Sequence, residues 1–247
     1  MTKDIYALYA NYVAKIIKSG DLSTFKQHPD YTYMLEHTTG YQGHQYIELI
    51  RKQTKISLKD IEEFSKKNDA IGGTKQKMFA EINLTLSPSN LRYLYHAYLI
   101  IKHFQKFKVK INIVEIGGGY GGLFLAIDFL SRKYKIDIES YTIIDIPIIA
   151  KFQKLYVSKV EHKIPFDTLP STNFGKELDK SNLFLISCYS FSEIPREYQS
   201  KYIEILFPKL KHGFITWNNI PIYDFGFSVE VEEEVPKTGR LNKYVRF

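Results

Sequence analysis

The run Val114-Glu-Ile-Gly-Gly-Gly-Tyr-Gly-Gly122 sets a carboxylate directly before a glycine-rich turn. Gly117, Gly119 and Gly122 satisfy a dinucleotide fingerprint, while Gly117, Gly119 and Gly121 form an alternating pattern. Glycine suits such a turn because the chain must take φ > 0 and let a ligand lie against the backbone. The pattern alone is weak evidence; its place after an apolar run and before a helical one raises its value. A second acid, Asp145, follows Gly122 by about 20 residues, the spacing at which a carboxylate takes ribose hydroxyls in folds of this kind. Asp145 also stands where it would cap a helix beginning at Pro147, and the two roles are compatible.

Glu115 bears on what the turn holds. A dinucleotide brings a pyrophosphate there, which a carboxylate repels. S-adenosylmethionine brings a sulfonium and an amino group, both positive, which a carboxylate favours. The residues therefore point to S-adenosylmethionine; the alternative is a surface glutamate beside a plain turn.

The elements that must position these residues change character near residue 110. Residues 1–110 read as helical. Tyr6, Tyr9, Val13 and Ile16 recur at helical spacing, and Ser19-Gly20-Asp21 stops that segment. A polar stretch, His28-Pro-Asp-Tyr-Thr-Tyr33, follows. Helices are expected over 44–53 and over 58–67, the second opened by Ser57, with a break at Gly72-Gly73 and a long helix starting at Ser87-Pro-Ser-Asn90. Beyond that point short apolar runs predict strands at 111–116, 141–144, 162–166, 183–186 and 213–217. Helices are expected between them at 123–134, up to about 157, and at 196–209. That alternation requires a parallel sheet, since parallel neighbours need crossover connections. Residues 225–231 and 243–247 could add an antiparallel edge pair.

The hydrophobic share of 44% and charged share of 25% are those of a globular protein able to bury a core. No run approaches the roughly 20 apolar residues of a spanning helix, and Met1-Thr-Lys-Asp-Ile-Tyr6 lacks a secretory pattern, so a cytoplasmic location is expected. The single Cys188 excludes an internal disulfide and leaves no cysteine cluster for a metal. The net charge of +7 suggests an anionic partner, but the lysines are dispersed, the densest run being Lys102, Lys106, Lys108 and Lys110. A solvated surface explains them better than a nucleic-acid footprint.

The glycine turn, together with Tyr141-Thr-Ile-Ile-Asp-Ile-Pro147, Ser187-Cys-Tyr-Ser-Phe-Ser-Glu193 and Gly213-Phe-Ile-Thr-Trp-Asn218, resembles the sugar O-methyltransferases. That family belongs to the class I S-adenosylmethionine-dependent methyltransferases and is associated with bacterial surface polysaccharides. The resemblance extends upstream through residues 31–37 and Ser87-Pro-Ser-Asn-Leu-Arg-Tyr93, so it covers most of the chain. It implies a Rossmann-like α/β sheet, mostly parallel with an antiparallel C-terminal edge. Residues 1–110 would form an acceptor-binding cap and residues 111–247 the catalytic domain. The implied reaction is methylation of a sugar hydroxyl on a nucleotide-linked sugar or a glycan intermediate of capsule or lipopolysaccharide, giving S-adenosylhomocysteine. A substrate diphosphate would match the positive charge.

The same resemblance assigns site residues. Cofactor contacts would come from Glu115, Gly117, Gly118, Gly119, Tyr120, Gly121, Asp145, Ile146, Ser187 and Tyr189, with Arg92 pairing the methionine carboxylate. Glu193, after the fourth strand of the expected sheet, would be the base that takes the hydroxyl proton, with His37 as the other candidate. Ser190 and Glu193 also have capping-box spacing, a structural alternative. His28, Tyr33 and Asn218 would contact the acceptor, and Asn219 lies beside them. A metal is not expected, because the catechol-type enzymes need clustered acids where this chain has Glu193 and two asparagines. An RNA or protein methyltransferase, or a non-catalytic binding module, are the alternatives. Amine chemistry is disfavoured by Ser187-Cys-Tyr-Ser190 standing where an Asp/Asn-Pro-Pro-aromatic turn would be.

Overall fold

The computed structural model describes residues 5–218 and 220–247. The N-terminal part holds α1 (Ile5–Ser19), α2 (Pro29–Leu35), α3 (Gly40–Gln53), α4 (Leu58–Asp69), a hairpin of β1 (Lys77–Phe79) and β2 (Leu84–Leu86), and α5 (Pro88–Phe104). The remainder is β3 (Ile111–Ile116), α6 (Gly122–Tyr134), β4 (Ile138–Asp145), α7 (Pro147–Val157), β5 (Phe166–Pro170), β6 (Leu183–Cys188), α8 (Ser190–Glu193), α9 (Arg196–Ile205), β7 (Leu210–Trp217), β8 (Glu230–Glu233) and β9 (Lys243–Arg246).

Local chemistry sets the helix boundaries. Thr39 with Gln42, and Ser57 with Asp60, form reciprocal capping boxes that open α3 and α4. Ser87 caps α5, with Pro88 in the first turn where its missing N–H costs nothing. α1 stops at Gly20, which takes φ +70°.

The main sheet runs β5-β4-β3-β6-β7-β9-β8. The first five of these strands are mutually parallel; β9 is antiparallel to β7, and β8 to β9. This is the expected Rossmann-like class I methyltransferase sheet with its antiparallel C-terminal edge. The order reverses between β3 and β6, so the crevice for a ligand lies at the carboxyl ends of β3, β4 and β6. Successive side chains of the buried strand β3 part to opposite faces: Ile113 joins one apolar cluster, and Val114 and Ile116 the other. The first cluster also takes in Phe25, Tyr31, Tyr46 and Phe64 from the N-terminal helices together with Tyr120, Phe124 and Phe152. One core therefore crosses the boundary drawn at residue 110.

Three expectations change. The N-terminal part is not wholly helical, since β1 and β2 pair antiparallel. The polar stretch after His28 forms α2. The strand expected at 162–166 lies at Phe166–Pro170, because the buried Asp128 carboxylate accepts the amides of Lys163 (2.7 Å) and Ile164 (3.0 Å) and holds them in a loop. No helix among the described residues is long and apolar enough to cross a membrane.

Candidate active site

The turn after β3 is tied on both sides. Gly117 N–H donates to Ile144 O at 3.0 Å, and Gly121 N–H to Gly118 O at 2.9 Å. Gly117, Gly119 and Gly121 stand at φ +72°, +57° and +99°, a region where other residues are strained. Gly118 N–H donates to Asp145 Oδ2 at 3.2 Å, which brings the turn and the acid of β4 into one site. Gln153 on α7 completes the link, its amide donating to Asp145 Oδ2 (2.8 Å) and to Gly119 O (2.9 Å). Burial pushes the Asp145 carboxyl up to about 6, against the bonds from Ile146, Gln153 and Gly118 that favour its ionised form. Asp145 does not cap α7: the N-cap is Ile146, with no side-chain cap bond and Pro147 starting the helix. Ile146 itself exposes an apolar side chain beside Asp145.

Glu115 lies behind the turn. Its Oε2 accepts from Tyr141 Oη at 2.8 Å, and a β-carbon on Gly118 would approach that oxygen to 2.8 Å. Burial pushes its carboxyl up to about 8, with the Tyr141 bond opposing and Asp145 adding to the rise. The rise weakens the repulsion of a pyrophosphate by a standing charge that the sequence suggests; a nearby cation would favour the charged form and an anion would not.

Three expected cofactor contacts have other work. The Tyr120 ring is fully buried against Phe25, Tyr31, Tyr93 and Tyr156, its hydroxyl accepting from Asn68 at 2.8 Å. Only its backbone belongs to the turn. The Ser187 hydroxyl donates to Ile116 O (2.8 Å) and accepts from Phe191 N–H (2.9 Å), stapling the ends of β3 and β6. Tyr189 sits at φ +66°, and its hydroxyl donates to the wholly buried Glu234, a carboxylate also bonded by Thr238 and missed by sequence reasoning. Strain of this kind persists only where surroundings over-determine it.

Arg92, on α5, is buried. Nη2 donates to Leu35 O at 3.2 Å and Nη1 lies 3.4 Å from His37 Nε2; its guanidinium carbon stands 5.5 Å and 5.7 Å from the Tyr93 and Tyr189 rings. Burial opposes its charge, but the net shift is upward, with Tyr93, Tyr189, Tyr46 and Glu36 nearby, so the guanidinium stays ionised. Among the described residues no carboxylate forms an ion pair with it.

Glu193 lies at the other end of the crevice. One oxygen accepts from Tyr6 Oη at 2.8 Å, and the other from the Asn218 amide. The capping-box alternative does not hold: α8 is a single turn whose N-cap, Tyr189, makes no side-chain cap bond. The structure thus brings together Glu193 and Asn218 and adds Tyr6, whose phenol is pushed up by burial and by Glu193 and remains a donor. His37 is partly in solvent beside Arg92; burial of the ring and the Arg92 charge push its imidazole down to about 4, so it is neutral at pH 7. His28 caps α2 by accepting Asp30 N–H at 3.3 Å and stacks on Tyr12 at 3.6 Å. Tyr33 is exposed on α2. Asn219 lies outside the described residues.

No protein-family model matches the chain, and no curated protein matches its sequence. Solved structures do match. One is magnesium protoporphyrin IX methyltransferase from Synechocystis PCC 6803 with bound SAM, at 11% identity, covering 83% of this chain and 95% of that one with a TM-score of 0.47. Another is LepI in complex with SAM, at 11% identity, covering 85% and 68%, TM-score 0.44. A third is PKMT2 from Rickettsia typhi in complex with AdoHcy, at 19% identity and TM-score 0.33; the match takes in 45% of this chain and spans only 22% of that protein.

Proposed function

We propose that the chain is an S-adenosylmethionine-dependent methyltransferase acting on a hydroxyl. The observation that carries this reading is the sheet with its site. A dinucleotide fold continues its parallel order to a sixth strand, whereas this sheet closes with the antiparallel pair β9-β8, while keeping the glycine turn and Asp145 in hydrogen-bond contact. The residues fit the cofactor: Asp145 for the ribose hydroxyls, Ile146 as an apolar face beside it for the adenine, and the buried Arg92 for the methionine carboxylate. The bound cofactor supplies a methyl group on a sulfonium.

The acceptor end follows from Glu193. Held at the turn, the cofactor would supply its methyl group to the acceptor oxygen and would leave as the neutral thioether. The hydroxyl proton passes to the Glu193 carboxylate. Tyr6 and Asn218 orient that carboxylate, and Asn218 offers its amide to a neighbouring hydroxyl. The acceptor class, a nucleotide-linked sugar or a glycan intermediate of bacterial surface polysaccharide in the cytoplasm, rests on the resemblance of residues 114–123, 187–193 and 213–218. The positive net charge and the hydroxyl-binding groups around Glu193 support it.

Calorimetric titration of the protein with S-adenosylhomocysteine and with NAD is the primary test. Binding of the first and none of the second is expected. Asp145→Ala should weaken S-adenosylhomocysteine about 10- to 100-fold, the loss of roughly 1.5–3 kcal/mol of charge-assisted hydrogen bonding. NAD binding in its place would overturn the reading. Incubation with S-adenosylmethionine and a panel of nucleotide sugars, followed by mass spectrometry, identifies the acceptor.

A further inference from the structure

The glycine turn is covered by the chain's own cap. Leu35, the last residue of α2, lies on Gly119: a β-carbon there would be 3.2 Å from Leu35 Cδ2. A ligand seated against the turn as proposed above would need that position. The carbonyl of the same residue is held by Arg92 Nη2 at 3.2 Å, and His37, two residues on, meets Nη1 at 3.4 Å. Arg92 is thus the group assigned to the methionine carboxylate and also the group that fastens the cover.

We propose that residues 35–39 form a gate over the cofactor turn, latched by Arg92 and released when a ligand carboxylate takes the guanidinium. The proposal rests on the methyltransferase reading of the site. Two neutral acceptors are weak partners for a buried guanidinium, and a carboxylate engaging both nitrogens is stronger. The exchange therefore drives opening without cost to the Arg92 charge. Its extent is bounded by neighbouring anchors. Tyr31, one turn earlier, is fully buried against Phe25 and Tyr120 and stays in place. Glu36 accepts from Ser89 Oγ (2.6 Å) and Ser87 Oγ (3.2 Å) at the start of α5. Beyond it His37 and Thr39 are exposed, with Thr38 buried between them, before the capping box of Thr39 begins α3. The moving part is thus the Leu35 side chain and carbonyl with the loop to Thr39, not the whole of α2.

The probe is S-adenosylhomocysteine, followed by stopped-flow association with wild type and Leu35→Ala, and by hydrogen exchange with Arg92→Met. A gate populated mostly in its closed form taxes association by the open fraction, so Leu35→Ala should bind about five- to tenfold faster. Arg92→Met should raise amide exchange at residues 36–39 in the ligand-free protein while leaving α5 protected. Binding with equal rates in wild type and Leu35→Ala, and unchanged exchange at 36–39 in Arg92→Met, would overturn the gate and leave the methyltransferase reading intact. No binding to either wild type or Leu35→Ala would remove that reading, and the gate with it.

Discussion

Glu193 stands between two donors that sequence distance keeps far apart, Tyr6 on the first helix and Asn218 at the end of β7. The acids of the site were legible because each stands at or just beyond the carboxyl end of an apolar strand: Glu115 is penultimate in β3, Asp145 ends β4, and Glu193 closes the short α8 after β6. Their partners were not. Gln153 carries no signal inside an ordinary amphipathic helix, Glu234 hides in an acidic run that reads as solvated surface, and Tyr6 reaches the site only through packing of α1. The structural bonds of the Ser187 and Tyr120 side chains were hidden for the same reason, since motif membership does not say which way a side chain points. If Glu193 takes the proton, Glu193→Gln should lose about 10²- to 10⁴-fold in kcat with S-adenosylhomocysteine affinity unchanged. The amide can still accept from one neighbour while Tyr6 turns its hydroxyl to the other, so fold and acceptor edge are preserved. Steady-state kinetics with the acceptor found by mass spectrometry decides; near-normal kcat would leave Glu193 as a tie between α1 and β7.

At the scale of elements, the alternation of strand and helix after residue 110 was readable because buried parallel strands are short apolar runs bounded by glycine and polar residues. β3 lies where its apolar pattern put it, at Ile111–Ile116. The hairpin of β1 and β2 escaped because three-residue strands with exposed Lys77, Met78 and Thr85 carry no periodicity. α2 escaped because its polar face dominates and its buried Tyr31 has no repeat partner in seven residues. The cap is more than a cover. Lys26, buried, donates to Asn68 O at 2.6 Å and stands 4.5 Å from the Tyr120 ring, so the segment before α2 grips the glycine turn from behind. Removing residues 1–85 would expose Tyr120, Phe152 and Tyr156, all fully buried against that part. At 150–250 Å² each and about 25 cal/mol per Å², their full exposure forfeits roughly 11–19 kcal/mol, comparable with the whole stability of a domain. The truncated chain should therefore show no cooperative thermal transition and no S-adenosylhomocysteine binding. A sharp calorimetric melt of residues 86–247 would show instead that the sheet folds alone.

For the whole molecule, the buried acids behind and beside the turn set how stability depends on pH. The Glu115 carboxyl, ordinarily near 4.5, is raised to about 8, and Asp145 from 3.8 to about 6, burial being the first cause of both. A raised carboxyl means that the folded chain binds more protons than the unfolded one, so stability falls as pH rises through the folded value. The histidines near Arg92 act in the opposite sense. His37 is pushed down to about 4 and His96 to about 3, each by burial and then by Arg92, so the unfolded chain binds more protons than the folded one below about 6.5. Lys26, lowered by burial to about 8, likewise adds stability with rising pH only above that value. Above about pH 7 the unfolded chain's histidines have given up most of their protons and their contribution fades, while Lys26 adds stability only as pH nears 8. Glu115 is then the group among these that lowers stability with rising pH. Relative to wild type, Glu115→Gln, which keeps an acceptor for the Tyr141 hydroxyl, should therefore hold its melting temperature better from pH 7 to 8. Thermal melts of both proteins at pH 7 and 8 measure it. An equal change in the two would mean that Glu115 is ionised in the folded chain, and would restore the standing negative charge behind the turn.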